Sequence, residues 1–265
     1  SGPLVQNGDV FDIAWSPDGS RLAFSANKDT EEVIELYTVP AGGGDTTKLS
    51  GPMVAGGAVL EFAWSPDGTR LAFRADKDVL NLRELYTVPA GGGETTKVSG
   101  PMVGGGILIE FAWSPDGTRL AFSAAKDTAG VFELYTVPAG GGAITKVSGP
   151  LVAGGDVFQF AWSPDSTRLA FLADKDTDNV TELFTVPADG GATTQVSGPL
   201  VANGDVSAFA WSPDGTRLAF TADKDTDDVS ELYIVPAGGG DTIKVSGPLV
   251  ANGDVGIFAW SPDGT

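Results

Sequence analysis

Three carboxylates, Asp12, Glu61 and Glu110, recur 49 residues apart, each directly before an apolar-Ala-Trp triplet. Carboxylates brought together by a repeat could serve as acid and base in glycoside hydrolysis, or hold a hard cation. The next two repeats carry Gln159 and Ala208 in this column, so a solvated acidic edge is the expected role. Asp174, Asp176 and Asp178, and again Asp223, Asp225 and Asp227, are spaced like the first half of a calcium loop. No glycine follows at the sixth place, and Glu182 or Glu231 arrives too early to be the closing bidentate ligand. Hydrogen-bonded polar loops are expected there, with no metal and no cofactor implied. The chain has no histidine and no cysteine. That removes a Ser-His-Asp triad and any thiolate nucleophile from this chain.

These residues hang on a strict period. Tryptophan stands at 15, 64, 113, 162, 211 and 260, within text that hardly changes, such as Ile13-Ala14-Trp15-Ser16-Pro17-Asp18-Gly19. A period of this length signals small units that bury their apolar faces against one another. The 265 residues, 42% hydrophobic, suffice for a sizeable core and predict a soluble globular chain. No apolar run approaches the roughly 18 to 20 residues of a membrane helix. The first residues resemble no signal peptide and begin within a repeat. A net charge of -19 repels phosphate backbones and anionic lipid surfaces, which argues against nucleic acid and membrane partners.

One repeat spans residues 9 to 50. Val10 to Trp15 is a short run of aromatic and β-branched residues suited to a strand. Ser16-Pro17-Asp18-Gly19 has the residues of a type I hairpin turn, and Arg21 to Ala26 alternates as a second strand. A polar loop follows, then a third strand Glu35 to Val39, a glycine turn, and a fourth strand Thr46 to Ser50. No helical period is present. Four antiparallel strands repeated in tandem are the blade of a β-propeller.

The run Trp-Ser-Pro-Asp-Gly-x-Arg-Leu-Ala-Phe, an Asp-rich loop, then Glu-Leu-Tyr-x-Val-Pro and a glycine turn resembles the repeat of TolB-type propellers, found also in tricorn-like and prolyl-oligopeptidase-type proteins. It departs from the classical WD repeat, which has a Gly-His pair and a terminal Trp-Asp. The resemblance implies blades whose first strand lies beside a central channel, and a periplasmic or extracellular location. It implies no activity, since the fold hosts many. The peptidase relatives keep their catalytic residues in a separate domain.

The fold class expected is all-β, a single propeller domain over 1–265 with blades near 9–50, 58–99, 107–148, 156–197 and 205–246. Residues 254–263 repeat the first strand once more. Five blades closed by one of the two terminal copies are expected, with a six-bladed or domain-swapped assembly as the alternative and self-association through the redundant copy. Lys28, Asp29, Glu35 and Arg21 recur in every repeat, which assigns them to loops and turns, and the tryptophans to packing between blades. Difference gathers at the start of the first strand, the end of the second and the start of the third, all toward one rim. Phe11, Asp12, Glu61, Arg74, Arg83, Glu110, Phe132, Phe158 and Gln159 are the candidate binding residues there. The expectation is a non-enzymatic scaffold, amplified from one blade or designed, that binds a protein or small ligand. A carbohydrate-active enzyme using Asp12, Glu61 and Glu110 is the alternative.

Overall fold

A computed structural model describes residues 4–250 and 253–264. The described residues contain no helix and form five four-stranded antiparallel sheets, one per repeat. The first sheet comprises β1 Val10–Trp15, β2 Arg21–Ala26, β3 Glu35–Pro40 and β4 Thr47–Lys48, and the second β5 Val59–Trp64, β6 Arg70–Ala75, β7 Glu84–Pro89 and β8 Thr96–Lys97. The third comprises β9 Leu108–Trp113, β10 Arg119–Ala124, β11 Glu133–Pro138 and β12 Thr145–Lys146. The fourth comprises β13 Val157–Trp162, β14 Arg168–Ala173, β15 Glu182–Pro187 and β16 Thr194–Gln195, and the fifth β17 Val206–Trp211, β18 Arg217–Ala222, β19 Glu231–Pro236 and β20 Ile243–Lys244. Strand order within each sheet follows chain order. The chain divides into two compact units, Ser1–Gly130 with Thr136–Ile144, and Val131–Tyr135 with Thr145–Thr265.

Local chemistry explains the hairpins. In the first turn the Ser16 hydroxyl donates to Asp18 Oδ1 at 2.6 Å, and the Ser20 amide donates to the same oxygen at 3.0 Å. Gly19 takes φ 68°, a left-handed conformation that glycine adopts without steric cost. The turn thus satisfies its own polar groups, and the pattern recurs at Ser65, Ser114, Ser163 and Ser212. Across β2 and β3, Phe24 stacks on its register partner Tyr37 with centroids 5.4 Å apart. Such pairs add to burial at the centre of each sheet.

Within the first unit, blades join through a buried layer: Ala23, Leu36 and Leu49 of the first sheet pack on Val59, Phe62, Phe73 and Tyr86 of the second. Hydrogen bonds fix the stacking. Trp64 Nε1 donates to the Ala14 carbonyl at 3.1 Å and Trp113 Nε1 to Ala63 at 3.2 Å. Arg21 donates to the Thr38 hydroxyl at 2.8 Å, which in turn donates to the Ala90 carbonyl at 3.2 Å. The side chains of β1 are open: Trp15 is 58% exposed and Ile13 61%, whereas Phe62, the equivalent of Ile13, is 7% exposed.

The second unit repeats the scheme, with Ala170, Leu172, Leu183 and Val196 packed on Val206, Phe209, Phe220 and Tyr233. Trp211 Nε1 donates to Ala161 at 3.2 Å. The last copy of the first-strand sequence behaves differently from expectation. Its described residues, 253–264, form no strand. It lies along the fifth sheet, with Trp260 Nε1 donating to the Ala210 carbonyl at 3.1 Å and Val255 N to Ser230 O at 2.8 Å. A first strand needs the amides and carbonyls of a second, and no described residue pairs with 255–260 in a ladder.

Candidate functional site

One irregularity shapes the variable end of every blade. In β1 the register shifts between Val10 and Asp12, in β5 between Val59 and Glu61, and in β9 opposite Ser123 and Ala124. The two remaining first strands shift likewise at Phe158 and Ser207. Each shift is a β-bulge, which takes one residue out of the ladder and re-aims its side chain. Phe11, Leu60, Ile109 and Phe158 are exposed as a result, an apolar residue turned outward at the same end of four blades.

In the first unit the residue after the bulge is a carboxylate. Asp12 lies opposite Ser25, Glu61 opposite Arg74 and Glu110 opposite Ser123. Arg74 Nη2 pairs with Glu61 at 3.3 Å. Its Nη1 donates to the carbonyls of Ile109 at 2.6 Å and Leu108 at 3.2 Å, across to the next blade's bulge. Burial raises the Glu61 carboxyl above its usual range, against the pull of Arg74 and with the push of Asp12. Burial also raises Glu110, and the Glu61 charge adds to it. Arg74 is lowered by burial, opposed by Glu61 and reinforced by Arg83. Arg83 is exposed and its side chain makes no hydrogen bond or ion pair among the described residues. The structure therefore brings Asp12, Glu61, Arg74, Arg83 and Glu110 into one electrostatic neighbourhood.

In the second unit Phe132 is half-buried, its amide donating to Asp156 Oδ1 at 2.7 Å and its carbonyl accepting from Val157 at 2.8 Å. Phe158 and Gln159 are exposed at the bulge of β13. A cleft of about 260 Å³ opens beside the fifth sheet, lined by Asp205, Ser207, Asp223, Asp228, Ser230 and Asp254. Asp205 accepts from the Thr181 amide at 2.6 Å and Asp254 from the Ser230 amide at 2.8 Å, so these carboxylates hold backbone.

The loop aspartates are placed separately. Asp174 accepts from the amides of Asp156 and Asn179, Asp176 pairs with Lys175 at 3.2 Å, and Asp225 pairs with Lys244 at 2.8 Å. Asp223 accepts from the Asp205 amide, and Asp227 from the Asn203 side chain at 3.5 Å. Asp178 lies against Gly154, its Oδ1 2.7 Å from where a Cβ there would stand. Among the described residues no group of three Asp, Glu, His or Cys side chains is positioned to hold a metal ion.

Sequence reasoning missed the bulge and the reach of Arg74 into the next blade. A signal for the second was present: Arg74 and Arg83 are the two of the 16 Lys and Arg residues that lie outside the columns of Arg21, Lys28 and Lys48.

Five four-stranded blades with this repeat define a β-propeller protein. More particularly, the chain belongs to the family described as the lipoprotein LpqB beta-propeller domain, which matches residues 1–137 and again 133–265. No curated protein matches the sequence. Among solved structures the chain is similar to a TolB from Agrobacterium tumefaciens, with 21% identity and TM-score 0.51, covering 90% of this chain and 81% of that one. It is similar to an oligogalacturonate lyase from Vibrio parahaemolyticus, with 16% identity and TM-score 0.51, covering 90% and 71%. A dipeptidyl aminopeptidase IV from Bacteroides ovatus gives 15% identity and TM-score 0.61, covering 87% of this chain and 38% of that one. At these identities the likeness is one of fold.

Proposed function

We propose that this protein is a non-enzymatic propeller scaffold that binds a protein or small ligand through the bulge-bearing ends of its blades. One observation carries the reading. In the first unit the outward-turned apolar residues at the bulges, Phe11, Leu60 and Ile109, share the blade ends with Arg74, whose guanidinium reaches the Ile109 carbonyl, and Arg74 and Arg83 are the only two cations that leave the repeat pattern. Loops and strand ends on a rigid scaffold are where recognition residues collect. The uniform turns satisfy their own hydrogen bonds and have little left to offer a ligand. The family's lipoprotein description supports a cell-envelope location, which fractionation of the native cells checks.

The test is a levelled variant, Arg74→Ser with Arg83→Thr and Phe11→Ser, carrying residues found in the same columns of other blades. The variant is expected to fold cooperatively with a melting temperature lowered by several degrees, through the lost Arg74 bridge, and its binding on peptide and glycan arrays to fall. Unchanged binding of every ligand found with the parent sinks the reading. The second reading, a carbohydrate-active enzyme, draws on the raised carboxyls of Glu61 and Glu110. It requires glycan turnover that disappears in the Asp12→Ala, Glu61→Ala, Glu110→Ala variant.

A further inference from the structure

Four of the five blades bury a glutamate at the start of the third strand and give it two partners. Glu35 accepts from the Tyr37 hydroxyl at 2.6 Å and pairs with Lys48. Glu84 has Tyr86 and Lys97, both at 2.8 Å; Glu133 has Tyr135 at 2.7 Å and Lys146 at 2.8 Å; Glu231 has Tyr233 at 3.0 Å and Lys244 at 2.7 Å. The fourth blade keeps the glutamate, Glu182, and loses both partners at once. Phe184 stands in the tyrosine column and Gln195 in the lysine column.

The consequence is a carboxylate only half provided for. The Gln195 amide donates to Glu182 Oε1 and to the Gly198 carbonyl at 3.2 Å. Glu182 Oε2 is buried and accepts no hydrogen bond. Lys175 is engaged elsewhere, paired with Asp176 at 3.2 Å and standing 5.7 Å over the Phe184 ring. An unpartnered buried acceptor costs stability, and a buried charge more so. Burial accordingly raises the Glu182 carboxyl above its usual range, with Asp176 adding to the rise and Lys175 opposing it. Glu182 also lines a cleft of about 430 Å³, with Thr177, Val180, Gln195, Pro199 and Leu200 among the other walls.

We propose that this cleft binds a free primary alkylamine, its ammonium group displacing the Gln195 amide from Glu182 and taking the place that lysine fills in the other four blades. The alkyl chain lies along Val180, Pro199 and Leu200, and the Thr177 hydroxyl and the Gln195 amide oxygen offer neutral acceptors to the remaining ammonium hydrogens. A calcium-like ion does not fit, because it needs six to eight oxygen ligands and the cleft offers a single carboxylate. The chain's charge of -19 draws cations toward its surface and disfavours anionic ligands. None of the cleft residues belongs to the bulge-bearing set, so this site and the proposed scaffold function stand or fall separately.

Calorimetry with n-butylamine at neutral pH and 0.15 M salt tests it, with n-butanol as the uncharged isostere and Nα-acetyl-lysine amide as the polypeptide-like arm. Saturable one-site binding of n-butylammonium, and none of n-butanol, is expected. Glu182→Gln weakens binding at least tenfold, and Gln195→Lys, which restores the residue of the other blades, abolishes it. Thermal melts of both variants without ligand confirm folding. Binding that survives Gln195→Lys places the amine elsewhere on the acidic surface and overturns the proposal. So does the absence of saturable binding, and so does tighter binding of acetyl-lysine amide than of butylamine, which would make the site a dock for a partner's lysine.

Discussion

Arg74 Nη1 lies 2.6 Å from the carbonyl oxygen of Ile109 and ties the end of β6 to the bulge of β9. A bulge takes carbonyls out of the strand ladder, and a carbonyl left unpaired away from water is costly. Blades one, three, four and five carry Ser25, Ser123, Leu172 and Thr221 in this column, so the tie is particular to the second blade. Arg74→Ser should lower stability by about 1.5 to 3 kcal/mol, the range for hydrogen bonds to a charged group. Arg83→Thr, at an exposed position, should change it by less than about 0.5 kcal/mol. Urea unfolding of the two variants checks this, and equal effects would deny Arg74 its bridging role.

Trp64 and Trp15 occupy the same place in successive repeats but differ in surroundings. Trp64 donates to the Ala14 carbonyl and joins the buried layer, whereas Trp15 is 58% exposed and its indole N–H makes no hydrogen bond among the described residues. Trp64→Phe leaves the Ala14 carbonyl without its donor and is expected to cost about 1 to 2 kcal/mol. Trp15→Phe should cost less than about 0.5 kcal/mol. Paired denaturation curves decide it; a Trp15→Phe loss as large as that of Trp64→Phe would mean that β1 is covered in solution.

The fold was legible because its determinants are local and repeated. Ser16, Pro17, Asp18 and Gly19 specify a turn within four residues, and the 49-residue period says that each unit packs on its like. What lay beyond reach was non-local. The bulge at Phe11 depends on how β1 counts against β2, which no residue of β1 announces. Residues 255 to 260 read as a strand and form none, since a strand is made by its neighbour. For the same reason the fourth strand narrows to pairs such as Thr47–Lys48, hydrogen-bonded to β3 alone. In the candidate site the residue types were visible, but the Arg74 target on another blade and the contacts joining Glu35, Tyr37 and Lys48 arise only from the folded arrangement of strands.

Ser166 is a defect in an otherwise uniform turn. It adopts φ 64°, while its equivalents Gly19, Gly68, Gly117 and Gly215 take φ 68°, 69°, 71° and 68°. A side chain in the left-handed region costs roughly 1 to 2 kcal/mol, and glycine returns part of that through its freer unfolded chain. Ser166→Gly is therefore expected to stabilise by about 0.5 to 1 kcal/mol, raising the melting temperature by about 2 °C. Differential scanning fluorimetry reads the shift. A lower melting temperature would mean that the serine makes a contact worth more than its strain.

The turn aspartates set the acid limit of the fold. Asp18 is held down to about 2 by the Ser16 hydroxyl and then the Ser20 amide, and Asp214 to about 2 by the Ser212 hydroxyl and the Thr216 amide. Asp67 and Asp165 are lowered by their turn serines in the same way. Asp116 is lowered too, since its bonds from Ser114 and Thr118 outweigh the opposing effect of burial. A carboxyl whose folded value lies below its unfolded value of 3.8 stabilises the fold above about pH 4, and that contribution is lost as pH falls toward about 2. Glu61, Glu110 and Glu182 act in the opposite sense. Burial raises them in the fold, so their protonation relieves a cost as pH drops through their folded values toward 4.5. Stability should hold or rise slightly from pH 7 to 5 and then fall between about pH 4 and 2. Urea midpoints at pH 7, 5, 3.5 and 2.5 test this. The Asp18→Asn and Asp214→Asn double variant should show a shallower acid decline, and a decline as steep as the parent's would assign acid unfolding to other groups.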